Sequence, residues 1–312
     1  MDGMHEKRLE KSLGYSATCQ AMSVELSLGY HMYAIAKLLH RSIFINGTMI
    51  NMETWPNFRE ERLIAFERIE QTFFRKILCA HSKTPIEAIY LELGVIPFRF
   101  HLMAKRIMYL QEIMNRDDSE LTKQVVMAQK ERCLPGDFYA QVSLDMLKLS
   151  IEMKDLELSK EKLKELVTSN VRNKAFLYLI EKAKSHSKVR HQIYTNCDGA
   201  KHYTDQRFTP DLTNLVFRFR TRTFLVKNNY RNNYKNTDIR CPLCLQDDDT
   251  QEHIFKCPKL LEGMSEKVSC QVDDLYTDDL DTLYSTSCTL KKLVEIRENI
   301  LNSDGEVDRQ EE

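Results

Sequence analysis

Along most of the chain, apolar positions recur three and four residues apart, the period of one face of a helix. Between Asn57 and Ala80 this stripe runs through Leu63, Ile64, Phe66, Ile69, Phe73, Phe74, Ile77 and Leu78. The stretch Thr84-Pro85-Ile86-Glu87 has the form of a capping box with proline at the first helical position, and Gly94 is placed to end that helix. Pro97 opens another helix, carrying Phe98, Leu102, Met103, Ile107, Leu110, Ile113 and Met114 on its stripe. Further helices are predicted near 119–132, 137–148 and 160–186, the last opened by Ser159. Short connections between amphipathic helices describe a bundle.

The ends of the chain are less regular. Residues 20–52 are rich in apolar side chains and predict two or more helices, whose partners come from the bundle or from a preceding domain. Residues 187–208 read as loop, broken by His, Tyr, Asn and Gly. Thr209-Pro210 then starts a helix with Leu212, Leu215, Val216 and Phe219 on one face. An Asn-rich segment follows, then a cysteine-rich one, an acidic loop and a short helix near 289–301. The last residues, 304–312, are expected to be disordered.

Composition agrees with a folded, mainly helical chain. Hydrophobic residues make up 42% and charged residues 29% of 312 positions, with only 9 glycines. No apolar run approaches the roughly 18–20 residues that a membrane span needs, and the charged start MDGMHEKRLEK has no secretory character. Nine cysteines in such a chain are expected to be reduced thiols of an intracellular protein, nuclear or cytoplasmic.

The net charge of −1 conceals a strong asymmetry. Residues 1–170 balance, residues 171–240 carry fifteen Lys or Arg against five acids, and residues 241–312 carry seven against eighteen. Within the basic block, Arg172, Lys174, Lys188, Arg190, Arg207, Arg218, Arg220, Arg222, Lys227 and Arg231 are candidate phosphate contacts. They are interleaved with Tyr203, Phe208, Phe217, Phe219, Tyr230 and Tyr234. Cations release counterions from a polyanion and aromatic rings stack on unpaired bases, so RNA or DNA is the expected partner. A solvated basic surface is the plain alternative.

Directly after this block comes CPLCLQDDDTQEHIFKC, with the spacing Cys-x2-Cys-x8-His-x3-Cys. Three thiolates and an imidazole form a closed tetrahedral set for zinc, so Cys241, Cys244, His253 and Cys257 are expected to hold one structural Zn2+. Cys270 is the substitute if Cys257 is not a ligand. With every position filled by protein, no site remains for a catalytic water. The other cysteines have no such company and read as ordinary thiols.

Nothing else assembles into an active site. There is no Gly-x-Ser-x-Gly, no phosphate-cradling glycine loop and no His-Glu-x-x-His. Tyr276-Thr277-Asp278-Asp279 has the form of the metal-holding turn of reverse transcriptases. Its neighbours Asp273, Asp274 and Asp281 replace the apolar strands that turn requires, so it reads as a solvated acidic loop.

Several segments in order resemble the region behind the polymerase palm in non-LTR (LINE-type) retrotransposon proteins. They are NGTMINMETW, TPIEAIYLELGVIPFRFHLMAKRIMYL, FRFRTRTF and CPLCLQDDDTQEHIFKCP, with Trp55, Leu93-Gly94, Pro97 and Arg99 as distinctive points. The resemblance implies that 1–56 corresponds to the end of the polymerase and start of the thumb. It further implies that 57–160 is a thumb- and linker-like bundle, 161–240 a basic helical and loop region, 241–270 a zinc knuckle, and 271–312 an acidic tail with one short helix. It implies a grip on template RNA or target DNA. The palm and endonuclease residues of such proteins have no counterpart here, so a non-catalytic, truncated relative is expected.

Two rival readings remain: a helical protein-binding scaffold retained by a host, and a remnant with no function. Under the scaffold reading, 20–52 is an exposed docking surface and the basic charges pair with the acidic tail. Residues 270–285 lying across 172–222 would favour scaffold over nucleic-acid binder.

Overall fold

The computed structural model describes residues 2–26, 32–54, 60–82, 84–186, 194, 202–204, 207–229 and 238–307. The fold is mainly α, and the only β pairing among the described residues is a single antiparallel bridge between Arg240 and Asp248. No helix among them is long and apolar enough to cross a membrane.

The chain starts with α1 (Asp2–Leu26), which packs on α2 (Met32–Leu39) and α4 (Glu60–Ile77). From Leu39 a π-helical stretch, His40–Ile45, leads into the single turn α3 (Asn46–Thr48). This stretch buries Phe44 and Ile45 in the core shared with α4, on which Leu63, Phe66, Ile69, Phe73, Phe74 and Ile77 of the predicted stripe are buried and Ile64 is half-buried. Tyr33, Ala36, Met49 and Met52 are buried as well, so the described part of the apolar region 20–52 is largely core and not an exposed docking surface. The bundle itself supplies its partners.

The next helix, α5 (Ile86–Leu93), ends on Gly94 in the left-handed conformation at φ 60°, where a Cβ would be strained. The capping box expected at its start does not form. Pro85 is the cap residue, the Thr84 hydroxyl is buried without a hydrogen bond, and the Glu87 carboxylate is turned toward His186 Nε2 at 3.3 Å. Beyond it run α6 (Phe98–Met114), α7 (Leu121–Arg132), α8 (Phe138–Leu149) and α9 (Lys160–Ala183). Ser159 caps α9 by accepting from the Lys162 amide, and Thr209 caps α10 (Pro210–Arg220) by accepting from that of Leu212.

Two short helices, α11 (Gln251–Ile254) and α12 (Pro258–Glu262), lie within the cysteine-rich segment. The last helix, α13 (Leu280–Val307), is far longer than the sequence predicts. Asp279 accepts from the Thr282 amide at 2.9 Å, which starts the helix well before residue 289. Leu283, Leu290, Leu293 and Val294 then bury one side of it. Of the expected disordered end, 304–307 continue α13 and 308–312 lie outside the described residues.

Two cores result. One joins α1–α5, the start of α6, the end of α9 and α10–α13. The other is formed by the rest of α6, by α7 and α8, and by most of α9. Helices α6 and α9 run through both. A buried ion pair, Arg106 with Asp145 at 3.1 Å, ties α6 to α8 in the second core.

Candidate metal centre

The local backbone explains why four distant donors converge. After the Arg240–Asp248 bridge the chain makes a tight turn in which Leu245 takes a left-handed φ of 57° and its amide donates to the Cys241 carbonyl. The Cys241 amide in turn donates to the Asp247 carbonyl at 2.7 Å, closing the loop between the first two cysteines and the acidic run. Thr250 then caps α11 by accepting from the His253 amide at 3.0 Å. One turn later the Cys257 amide donates to the His253 carbonyl, and Cys257 becomes the cap residue of α12 with Pro258 at its first position.

The ligand atoms of Cys241, Cys244, His253 and Cys257 all lie within 4.8 Å of one another, and among the described residues no other group of this kind exists. The Cys241 and Cys257 sulfurs are 3.8 Å apart, and Cys244 Sγ is 3.2 Å from His253 Nε2. Cys241 and Cys257 are fully buried, His253 nearly so, and Cys244 sits half-buried at the rim. The arrangement can enclose one metal ion. Cys270 is not part of it and instead faces Thr286 and Thr289 on α13.

The two kinds of sulfur are tuned in opposite directions. For Cys257, burial and the neighbouring Cys241 sulfur push the thiol up to about 12, against opposing amides of Lys259 and Leu260. For Cys244, burial raises the thiol, but the amides of Gln246 and Asp247 with His253 and Cys241 outweigh it and hold it at about 6. A cation among these sulfurs would favour the thiolate at each.

The four residues before His253 fasten this loop to the body of the protein, and sequence reasoning missed them. Asp249 is buried and accepts from Arg297 Nη2 on α13 at 2.9 Å and from the Lys227 amide at 2.8 Å. Gln251, also buried, donates to the Phe219 carbonyl of α10 and accepts from Asn229, both at 2.8 Å. Glu252 pairs with Arg222. The one sequence signal was Thr250, a cap residue three positions ahead of His253.

The candidate phosphate contacts fare unevenly. Arg220 is a correction: it is 2% exposed, and its Nε donates to Glu92 on α5 at 3.0 Å. Tyr194 and Tyr203 donate to the same carboxylate at 2.6 Å, and Arg220 Nη1 donates to the Leu275 carbonyl. This cluster is a buried junction, out of reach of any phosphate. Arg222 is engaged by Glu252, Arg207 pairs with Asp281 at 2.7 Å, and Lys227 donates to the Asp238 and Arg240 carbonyls. Arg218 is exposed and donates to the Cys79 carbonyl at 3.3 Å. Arg172 is exposed and Lys174 half-buried on α9, neither with an acidic partner among the described residues. Lys188, Arg190 and Arg231 lie outside the described residues, as do Tyr230 and Tyr234. Tyr203, Phe208, Phe217 and Phe219 are core side chains with no face open for a base.

The acidic segment is correspondingly folded. A 3-10 turn, Val272–Tyr276, lies against α10, with Leu275 accepting from Arg220 and Tyr276 donating to the Phe219 carbonyl at 3.2 Å. Compared with known proteins, the chain matches no family model, no curated sequence and no solved structure.

Proposed function

We propose that this chain is a non-catalytic helical scaffold stapled by one structural zinc ion, whose task is to bind another macromolecule, in the first instance a protein. The zinc assignment is supported by donor chemistry and spacing. Bond lengths of about 2.3 Å to sulfur and 2.0–2.1 Å to nitrogen in a tetrahedron require S···S near roughly 3.8 Å and S···N near roughly 3.5 Å. The sulfur pair at 3.8 Å meets this, and the Cys244–His253 pair at 3.2 Å is a few tenths short. Four protein donors would leave no open position for water, which supports a structural role over a catalytic one.

The observation that carries the scaffold reading is the course of residues 271–281 across α10. That acidic segment, together with Glu92 and Glu252, engages Arg207, Arg220 and Arg222, the middle of the basic block. Cations paired within the fold have less charge left to neutralise phosphates, and Arg220 is buried besides.

A second reading, a nucleic-acid grip of the kind the resemblance to non-LTR retrotransposon proteins implies, is favoured by the outer side of α9. Lys160, Lys162, Lys164 and Arg172 are exposed there, beside Lys174. Titrating the full chain with single-stranded and duplex RNA and DNA from 20 mM salt upward separates the two. No binding at low salt supports the scaffold. Binding whose affinity falls steeply with salt, and which an Arg172→Glu/Lys174→Glu variant weakens, overturns it in favour of the grip.

A further inference from the structure

One residue outside the four donors touches three of them. The Asp247 carbonyl accepts from the Cys241 amide at 2.7 Å, and its own amide donates to the Cys244 sulfur. Its carboxylate Oδ2 lies 3.5 Å from His253 Nδ1, while His253 Nε2 faces Cys244 Sγ. The imidazole therefore has a sulfur within hydrogen-bond distance of one nitrogen and a carboxylate at ion-pair distance from the other. The His253 side chain is 5% exposed, whereas that of Asp247 is 74% exposed and makes no other hydrogen bond or ion pair among the described residues.

From this geometry we infer that Asp247 is the positioning residue of the metal centre, its carboxylate fixing His253 with the proton on Nδ1 and the Nε2 lone pair toward the ion. The inference rests on the zinc reading above. The physical reason is a tautomer choice. A neutral imidazole carries one N–H, and only the form protonated at Nδ1 leaves Nε2 free to bind metal. A carboxylate facing Nδ1 stabilises that form and makes Nε2 more basic, and loss of such partners commonly weakens metal affinity about 10–100-fold. Exposure of Asp247 and the long 3.5 Å contact place the expected effect at the lower end. The two backbone contacts do not depend on the side chain, so substitution isolates the carboxylate.

The test compares the full-length wild-type chain with Asp247→Ala, Asp247→Asn and Asp247→Glu. Zinc affinity is measured by chelator competition, and the Co2+-loaded proteins are compared by their visible d–d absorption. Expected is about a 10-fold loss for Asp247→Ala, a smaller loss for Asp247→Asn, whose amide oxygen can face Nδ1 without the charge, and recovery in Asp247→Glu. The Co2+ band should shift in Asp247→Ala, while urea unfolding in excess chelator stays as in wild type. Equal zinc affinity and an unchanged Co2+ spectrum in Asp247→Ala would overturn the inference and leave the zinc reading intact. A wild-type chain that binds neither ion would overturn both.

Discussion

At Cys244 and Arg220, single side chains carry consequences out of proportion to their size. Replacing Cys244 with serine removes one donor from a closed set, so the variant should retain well under one equivalent of zinc by elemental analysis after dialysis against a weak chelator. Retention of a full equivalent would remove Cys244 from the ligand set. Arg220 and Glu92 are both fully buried, and the pair is joined by two tyrosine hydroxyls. Arg220→Ala strands a carboxylate in the core, and breaking such a pair costs about 3–5 kcal/mol. Urea unfolding should register that loss, with the double change Glu92→Gln/Arg220→Met costing less than Arg220→Ala alone. His101 adds a pH dependence. Burial, with lesser opposition from Glu70, draws its ring down to about 4 from an ordinary 6.5. The unfolded chain therefore binds this proton first as pH falls, and stability should decline between pH 6.5 and 4. The residue as a whole is only half-buried, so the decline is less than the roughly 3 kcal/mol that a full shift of this size would give. Denaturant midpoints across this range, compared with His101→Gln, check it. A variant with the same pH slope as wild type would place the effect elsewhere.

At the scale of elements, the metal loop acts as a latch on two long helices. Asp249 holds Arg297 of α13 just before α11, and Gln251, the first residue of the α11 turn that carries His253, holds the carbonyl end of α10. Stripping the ion should loosen this strap, so hydrogen exchange should accelerate in 238–262 and, through Asp249, along 283–300, with little change in α7 and α8. Uniform acceleration throughout would mean the ion acts on global stability alone. These elements also show what a sequence discloses. Helices α4, α6, α9 and α10 were legible because their apolar stripes, and caps such as Ser159 and Thr209, are local signals. The cluster of Cys241, Cys244, His253 and Cys257 was legible for the same reason, since its spacing is written in one short segment. What escaped depends on contacts distant in sequence. Arg220 looks like its exposed neighbours until Glu92, over a hundred residues away, draws it into the core. The length of α13 was hidden because Asp274 and Asp279, read as solvated charge, bond to backbone amides at turn and helix starts. Residues 20–52 were recognisable as apolar, yet only the packing assigns α4 and α10 as what covers them.

Taken whole, the molecule has two apolar cores spanned by two continuous helices, and that arrangement governs how it should unfold. Phe98 and Leu102 of α6 belong to the first core, and Ile107 and Leu110, one and two turns on, to the second. On α9 the order reverses, with Leu163, Val167 and Val171 in the second core and Leu179 and Ala183 in the first. Melting one core alone would break both helices in mid-length and expose the apolar face of each at the break. Interrupting a helix there forfeits several backbone hydrogen bonds as well as the packing, so the two cores should unfold together. The metal loop sits wholly on the first core, through Cys241, Ile254 and Cys257. Phe74→Ala in the first core and Ile107→Ala in the second, both fully buried positions, should each cost about 2–5 kcal/mol. Each should shift one common transition followed by circular dichroism and by intrinsic fluorescence. Zinc removal should move that same transition for the entire chain, although no donor touches the second core. Two separated transitions, with Ile107→Ala moving only one and chelation only the other, would instead mean that α6 and α9 join two independently folding halves.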